Sequence, residues 1–375
     1  MGPNNSLRIS QFILPVTMIL FLLGCIFFGP SGAGADDTSD DNVEGTLEQA
    51  PDVLALGGAE SRGAQASSGS AGAANTEPQE EPLPETRVMW EPKNAMPGEP
   101  ITIGYSYSPG AEARGLQAVL LDSRGRRLVR TPFFSLDTEE EGHKLLAAIL
   151  PVPIGAGAGE ALIRIESGAG TIMDLPFTID RRDFPSETIS LNQENTDLRT
   201  LPDPQRTRES EQLWAILSSV GNVIYSGGPF EPPVTSTRRT SRYGHQRVYH
   251  YIDDTTDSSI HAGIDFGVPT GTEVKACAAG KVVLARYRIL TGYSVVVEHL
   301  PAVYSLYYHL DSLIVTEGAI VETGELLGYS GSTGLSTGPH LHWEIRSSGE
   351  NADPDAFTAR PVLDKNDIIG KLEVN

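Results

Sequence analysis

Four pieces in the last third of this chain carry side chains that could do chemistry together. They are His261-Ala262-Gly263-Ile264-Asp265, the Tyr307-Tyr308-His309 triplet, the His340-Leu341-His342 pair and the glycine-rich run between those last two. Zinc takes imidazole nitrogen and carboxylate oxygen in a roughly tetrahedral shell, and a catalytic site supplies three protein ligands, leaving the fourth position to water or substrate. His261 and Asp265 offer one nitrogen and one oxygen, and the third ligand is expected from His340 or His342. That pair lies in Pro339-His340-Leu341-His342-Trp343-Glu344-Ile345, where apolar residues alternate as in a strand. Both imidazoles then share one face, with Leu341 and Trp343 on the other. One histidine can bind metal while its neighbour takes a proton from the attacking water, and His309 is left to hydrogen-bond that water or the developing oxyanion. Metal-assisted hydrolysis is the chemistry this set predicts.

His-x-x-x-Asp, a distant Tyr-x-His and then Gly-x-x-x-Gly-Pro-His-Leu-His resemble the lysostaphin-type (LytM) zinc metallopeptidases, which cut peptide bonds in bacterial peptidoglycan. The resemblance covers residues 240–357 and extends to Ser241-Arg242-Tyr243-Gly244 with Arg247, to Gly271-Thr272-Glu273-Val274 and to Asn351-Ala352-Asp353-Pro354. It implies zinc held by His261, Asp265 and His342, with His340 and His309 as the catalytic pair, His340 expected as base and His309 expected to stabilise the tetrahedral intermediate. The implied substrate is the stem peptide of peptidoglycan. None of the five positions is substituted, whereas degenerate relatives that lack ligands activate other cell-wall hydrolases. The alternative from another class is a non-catalytic envelope adaptor that binds peptidoglycan or activates a cell-wall amidase, and the intact ligand set argues against it.

The remaining candidates read more plainly. His143, His245, His250 and His299 lack motif context and are expected on the surface or in loops, with His299 at a core edge after Val295-Val296-Val297. One of Tyr307 and Tyr308 is expected to face the substrate groove. Cys277 sits among apolar strand positions and reads as a small buried hydrophobe.

Short β segments separated by glycine turns must position these side chains. The patterns Val274-x-Ala276-x-x-x-Gly280-x-Val282 and Val315-x-x-Gly318-x-x-Val321-x-x-Gly324-x-x-Leu327-Gly328 look like the two hairpins of the duplicated hybrid motif fold. Glycine supplies the positive φ such turns need. Related hairpins carry lipoyl or biotinyl groups, but Lys281 is not in the turn context that an acceptor lysine requires. Ser330-Gly331-Ser332-Thr333-Gly334 reads as a flexible loop forming one wall of the groove. The fold class expected is mainly β.

Length allows two or three domains, and the expected division follows composition. Residues 1–35 read as a signal peptide or membrane anchor. Arg8 precedes an apolar run over residues 12–28, and Ala33-Gly34-Ala35 has the small-x-small form of a cleavage site. Leu22-Leu23-Gly24-Cys25 also resembles a lipobox, with Cys25 as the acylated residue, and the run is nearly long enough to span a membrane. All three outcomes export the protein to the periplasm or cell envelope. Residues 36–87 form an acidic linker rich in Ala, Gly, Ser and Pro, too poor in apolar surface to order itself. Residues 88–180 read as an immunoglobulin-like β-sandwich, with strands near 101–107, 116–121, 145–150, 161–165 and 172–179, and this module could contact envelope partners. A connector over 181–239 contains Leu213, Ile216, Leu217 and Val220 at helical spacing, and the peptidase domain occupies 240–363. Formal charge is −21, from 28 basic and 49 acidic residues, which argues against nucleic acid as a partner.

Overall fold

The structure, a computed structural model, describes residues 86–107, 115–136 and 144–374. The expected export segment with Cys25, all but the last two residues of the expected linker, and His143 lie outside the described residues. The described chain is mainly β.

Nine strands come first: β1 (Thr86–Glu91), β2 (Asn94–Ala95), β3 (Pro100–Tyr107), β4 (Gln117–Asp122), β5 (Arg127–Pro132), β6 (Phe134–Ser135), β7 (Lys144–Pro151), β8 (Gly159–Ser167) and β9 (Gly170–Ile179). They form two facing sheets, β1-β3-β7-β6 and β2-β9-β8-β4-β5. Alternation decides which side chains fill the space between them. On β8, Ala161, Ile163 and Ile165 are buried while Leu162 is exposed, and the inward set meets Ile101, Ile103, Leu120 and Leu150 in one apolar core. The five strands expected from sequence all occur. Thr86 and Arg87 belong to β1, so that strand starts two residues before the composition boundary.

A connecting stretch follows: β10 (Ser186–Ser190), α1 (Gln193–Thr200) and α2 (Pro204–Leu217). Helix α2 starts where Asp203 caps the backbone N–H groups of Gln205 and Arg206 with Pro204 in the first turn. Leu213, Ile216 and Leu217 pack it against Leu284, Val296, Tyr304 and Leu306. The helix ends at Leu217, so Val220, expected on the same stripe, is exposed.

The last part contains β11 (Arg239–Ser241), β12 (Gln246–His250), β13 (Thr256–Ile260), β14 (Ile264–Phe266), β15 (Glu273–Lys275), β16 (Gly280–Arg288), β17 (Gly292–Leu300), β18 (Val303–Leu313), β19 (Ile320–Val321), β20 (Leu326–Ser330), β21 (Leu341–Ser347), β22 (Glu350–Ala352), α3 (Pro354–Ala359) and α4 (Lys365–Val374). Its main sheet runs β11-β14-β21-β18-β17-β16-β19, with β20 joining β15 and β18 beside it. A smaller sheet, β10-β12-β13, is completed by the connector, because β10 pairs in parallel with β12. Among the described residues no helix is long and apolar enough to cross a membrane.

Strand β7 joins the two halves. Its run Leu145-Leu146-Ala147-Ala148-Ile149-Leu150 is apolar throughout, as expected of a strand covered on both faces. Ala148 and Leu150 face the sandwich core, while Leu145, Ala147 and Ile149 share a core with Ile264 and Trp343 of the main sheet and Phe357 of α3. Hydrogen bonds from Ser347 Oγ to the Ile149 carbonyl (3.1 Å) and from Thr102 Oγ1 to the Val362 carbonyl (2.8 Å) fix the same contact.

Candidate metal centre and active site

Strand register brings the site residues together. Ser241 lies opposite Asp265, Asp265 opposite His342, and His342 opposite Tyr308, so one rung crosses β11, β14, β21 and β18. Leu341, Trp343 and Ile345 are fully buried on the core side of β21, which turns His342 the other way. His340 stands just before the strand in a bridge to Gly331.

His261, Asp265 and His342 converge as a buried trio. Asp265 Oδ1 lies 3.1 Å from His261 Nε2 and 2.8 Å from His342 Nδ1, and those two nitrogens are 3.0 Å apart. Backbone carbonyls fix the ring tautomers nearby, since a carbonyl only accepts. His261 Nδ1–H donates to the Arg242 carbonyl (2.8 Å), His309 Nδ1–H to Thr333 (2.8 Å) and His340 Nδ1–H to Gly338 (2.8 Å). Each of these three rings therefore presents an unprotonated Nε2 when neutral. The His309 and His340 rings lie 4.7 Å apart, and His340 Nε2 is 3.9 Å from Asp265 Oδ1. All five residues named from the sequence thus meet in one place.

A bulge aims His309. Tyr307 pairs with Val295 and Leu310 with Tyr293, so Tyr308 and His309 face a single residue of β17. His309 adopts φ of +61°, a region that non-glycine residues rarely occupy outside special sites. Its backbone N–H donates to the Thr291 carbonyl at 2.8 Å. The loop after β20 closes on this bulge. Thr333 donates to the Leu310 carbonyl (2.6 Å) and accepts from His309. A side chain on Gly292 or Gly334 would collide with backbone across the contact. This wall is pinned by hydrogen bonds where the sequence suggested a flexible loop.

The electrostatics follow from burial and partners. Burial would raise the Asp265 carboxyl, but the charge and hydrogen bond of His261, the hydrogen bond of His342 and the charge of Arg247 hold it well below the usual range. Burial pulls His342 down, yet hydrogen bonds to Asp265 and Glu344 outweigh it and lift that imidazole to about 9. Burial, then the neighbouring His340 and His342, drives His309 down to about 3, so it is neutral. Ions paired this way in a buried site hold their positions only while each partner is present.

Several surrounding residues support these five, Ser241 and Arg247 from the motif pieces and Glu187 from outside them. Arg247 donates to Asp265 Oδ2 and, through Nε, to Glu187 Oε1 at 2.6 Å. Ser241 Oγ lies 2.8 Å from Glu187 and 3.1 Å from His261 Nδ1. His245, in the loop before β12 as expected of a surface or loop residue, reaches Glu187 Oε2 at 3.1 Å. Tyr308 stacks on the His342 ring with centroids 5.5 Å apart. Neither Tyr307 nor Tyr308 opens onto a groove, because both are buried. Instead, Tyr307 accepts from the Cys277 N–H (2.8 Å) and joins Ser305 and His299 in a network inside the core. His299 is wholly buried, not at a core edge, and burial pushes the Cys277 thiol up to about 11, which leaves it inert.

A buried trio of two imidazoles and one carboxylate, with two further imidazoles offering lone pairs beside it, is the donor set of a divalent metal centre. Residues 259–354 match peptidase family M23, and this chain carries an M23 domain of the lysostaphin (LytM) type. The chain is 38% identical over 135 residues to the "DD-carboxypeptidase/endopeptidase Mpg" of Neisseria meningitidis, covering 36% of this chain and 30% of that protein. It is 38% identical over 113 residues to the "Peptidoglycan DD-endopeptidase ShyA" of Vibrio cholerae, covering 30% of this chain and 26% of that one. It therefore spans under a third of either relative. A candidate M23 peptidase from Pseudomonas aeruginosa has a solved structure similar over 70% of this chain and 94% of its own, at 25% identity and a TM-score of 0.45.

Proposed function

We propose that this chain is a zinc-dependent endopeptidase of the cell envelope that hydrolyses peptide cross-links of peptidoglycan. The observation carrying this reading is the triangle of His261 Nε2, Asp265 Oδ1 and His342 Nδ1, with sides of 2.8–3.1 Å. Tetrahedral zinc with ligands at about 2.0–2.1 Å sets its donors about 3.3 Å apart, so the trio fits the ion with shifts of a few tenths of an ångström. When bound, zinc would polarise the scissile carbonyl and acidify water in the open position. The relatives' names carry the prefix DD, so the bond proposed is one between D-configured centres.

The chain's own residues divide the remaining work. His340, its Nδ1–H held by Gly338, turns Nε2 to the site and takes a proton from water as the C–O bond forms. It returns that proton to the leaving amine as the C–N bond breaks. His309 has its Nδ1–H committed to Thr333 and is neutral, so Nε2 accepts a hydrogen bond from the attacking water. A neutral ring held this way has no proton for the oxyanion, so this reading replaces the oxyanion-stabilising role expected from sequence with a contact to the water. In the same reading, residues 1–35 direct export, residues 36–85 act as a tether, and the sandwich is an immunoglobulin-like module serving as spacer or partner contact. An adaptor without catalysis has no observation in its favour.

Incubating the zinc-loaded chain with purified sacculi and counting newly released amino groups tests this function. Release that stops on chelation and returns with zinc supports it. A zinc-loaded protein that releases none overturns it.

A further inference from the structure

The connector strand β10 lies outside residues 259–354, yet it reaches the metal centre by two routes. Parallel pairing of β10 with β12 sets Glu187 opposite Arg247. One carboxylate oxygen, Oε1, takes both the Arg247 Nε–H (2.6 Å) and the Ser241 hydroxyl (2.8 Å), and Oε2 lies 3.1 Å from His245 Nδ1. Arg247 continues to Asp265 Oδ2, and Ser241 to His261 Nδ1 at 3.1 Å. Two of the three candidate ligands are thus braced by one side chain, 60 residues from Arg247 in sequence.

The geometry points to Glu187 as a positioning residue for the metal: through Arg247 it keeps Asp265 Oδ2 occupied and Oδ1 turned to the ion, and through Ser241 it steadies the His261 ring. This rests on the zinc reading above. Arg247 is nearly buried, with its side chain 16% exposed, and a guanidinium there keeps its geometry only while carboxylates satisfy both edges. With Glu187 gone, Arg247 Nε would lose its acceptor and the guanidinium could rotate onto Asp265 with both edges, taking the oxygen that should face the metal. Groups one step removed from a metal typically change its affinity 10–100-fold when lost. The catalytic unit would then begin at β10, about fifty residues before the start that motif spacing suggests, and the connector would be part of the site.

The test is zinc affinity of the full-length chain, measured by competition with a chromophoric chelator, for the parent, Glu187→Ala and Glu187→Gln. Glu187→Ala should bind zinc ten- to a hundredfold more weakly. Glu187→Gln keeps an oxygen that can accept from Arg247 and should fall between alanine and parent. If Glu187→Ala does not fold, the Gln variant and Arg247→Lys carry the same comparison. Affinities within twofold of the parent overturn the inference, even where thermal stability drops, because a purely structural residue would give that result. A parent that takes up no zinc overturns the metallopeptidase reading instead.

Discussion

The sandwich and the peptidase half are both β-sheet structures, but they bury different things. Between residues 86 and 180, Thr131 is the only buried polar side chain among the described residues. The peptidase half buries His261, Asp265, Arg288, His299, His309, His342, Glu344 and several hydroxyls. Burying charge without partners costs several kcal/mol per group, so such a cluster persists only if each member is paired or has a ligand to hold. The sandwich is organised for packing alone, and the other half adds buried donors to a packed core of its own. Where a fold accepts that burden is where its chemistry is to be sought.

Mutations should separate the two halves by what they change. Removing a donor has the largest effect: His342→Ala should weaken zinc binding by roughly a thousandfold or more, read by chelator competition. Ile163→Ala, in the sandwich core, should lower unfolding free energy by about 2–5 kcal/mol in a denaturant titration while zinc affinity stays put. A shift in affinity there would show that the halves are not separable. His299 gives a pH effect confined to the peptidase half. Burial drops its pKa to about 4, so between about 6.5 and 4 the unfolded chain binds a proton that the folded chain refuses, and stability falls as pH falls through that window. The loss is on the order of 3 kcal/mol, and His299→Gln should remove that part of the slope. The smallest effect is expected at Arg164–Asp174, an exposed pair on the sandwich with a 2.7 Å contact. Asp174→Asn should leave the thermal midpoint unchanged, because solvent screens such pairs.

How much of this was legible depended on whether a role is tied to local spacing. The two-residue period put His340 and His342 on one face, but the choice between them, and the grouping of His261, Asp265 and His309 with them, came from the resemblance to lysostaphin-type peptidases. The five sandwich strands were legible from local spacing. Glu187 was not: β10 alternates exposed and half-buried residues without an apolar stripe, and its partner lies across a parallel pairing no local pattern encodes. The bulge at His309 was equally silent, since the Thr291 carbonyl holds its backbone N–H and the Thr333 carbonyl its ring, both from segments distant from any local pattern. Leu145 through Leu150 did carry a signal of double coverage in their unbroken apolar run, which identifies a strand with two buried faces but not what covers the second.

The central claim is that metal binding and proton transfer are divided between neighbouring histidines two residues apart. Zinc content and release of amino groups from sacculi, measured together on the parent and on His340→Ala, test it most directly. One zinc per chain is expected in both proteins, with release in the parent and almost none in the variant. Loss of zinc from His340→Ala, or release at the parent's rate, would contradict it.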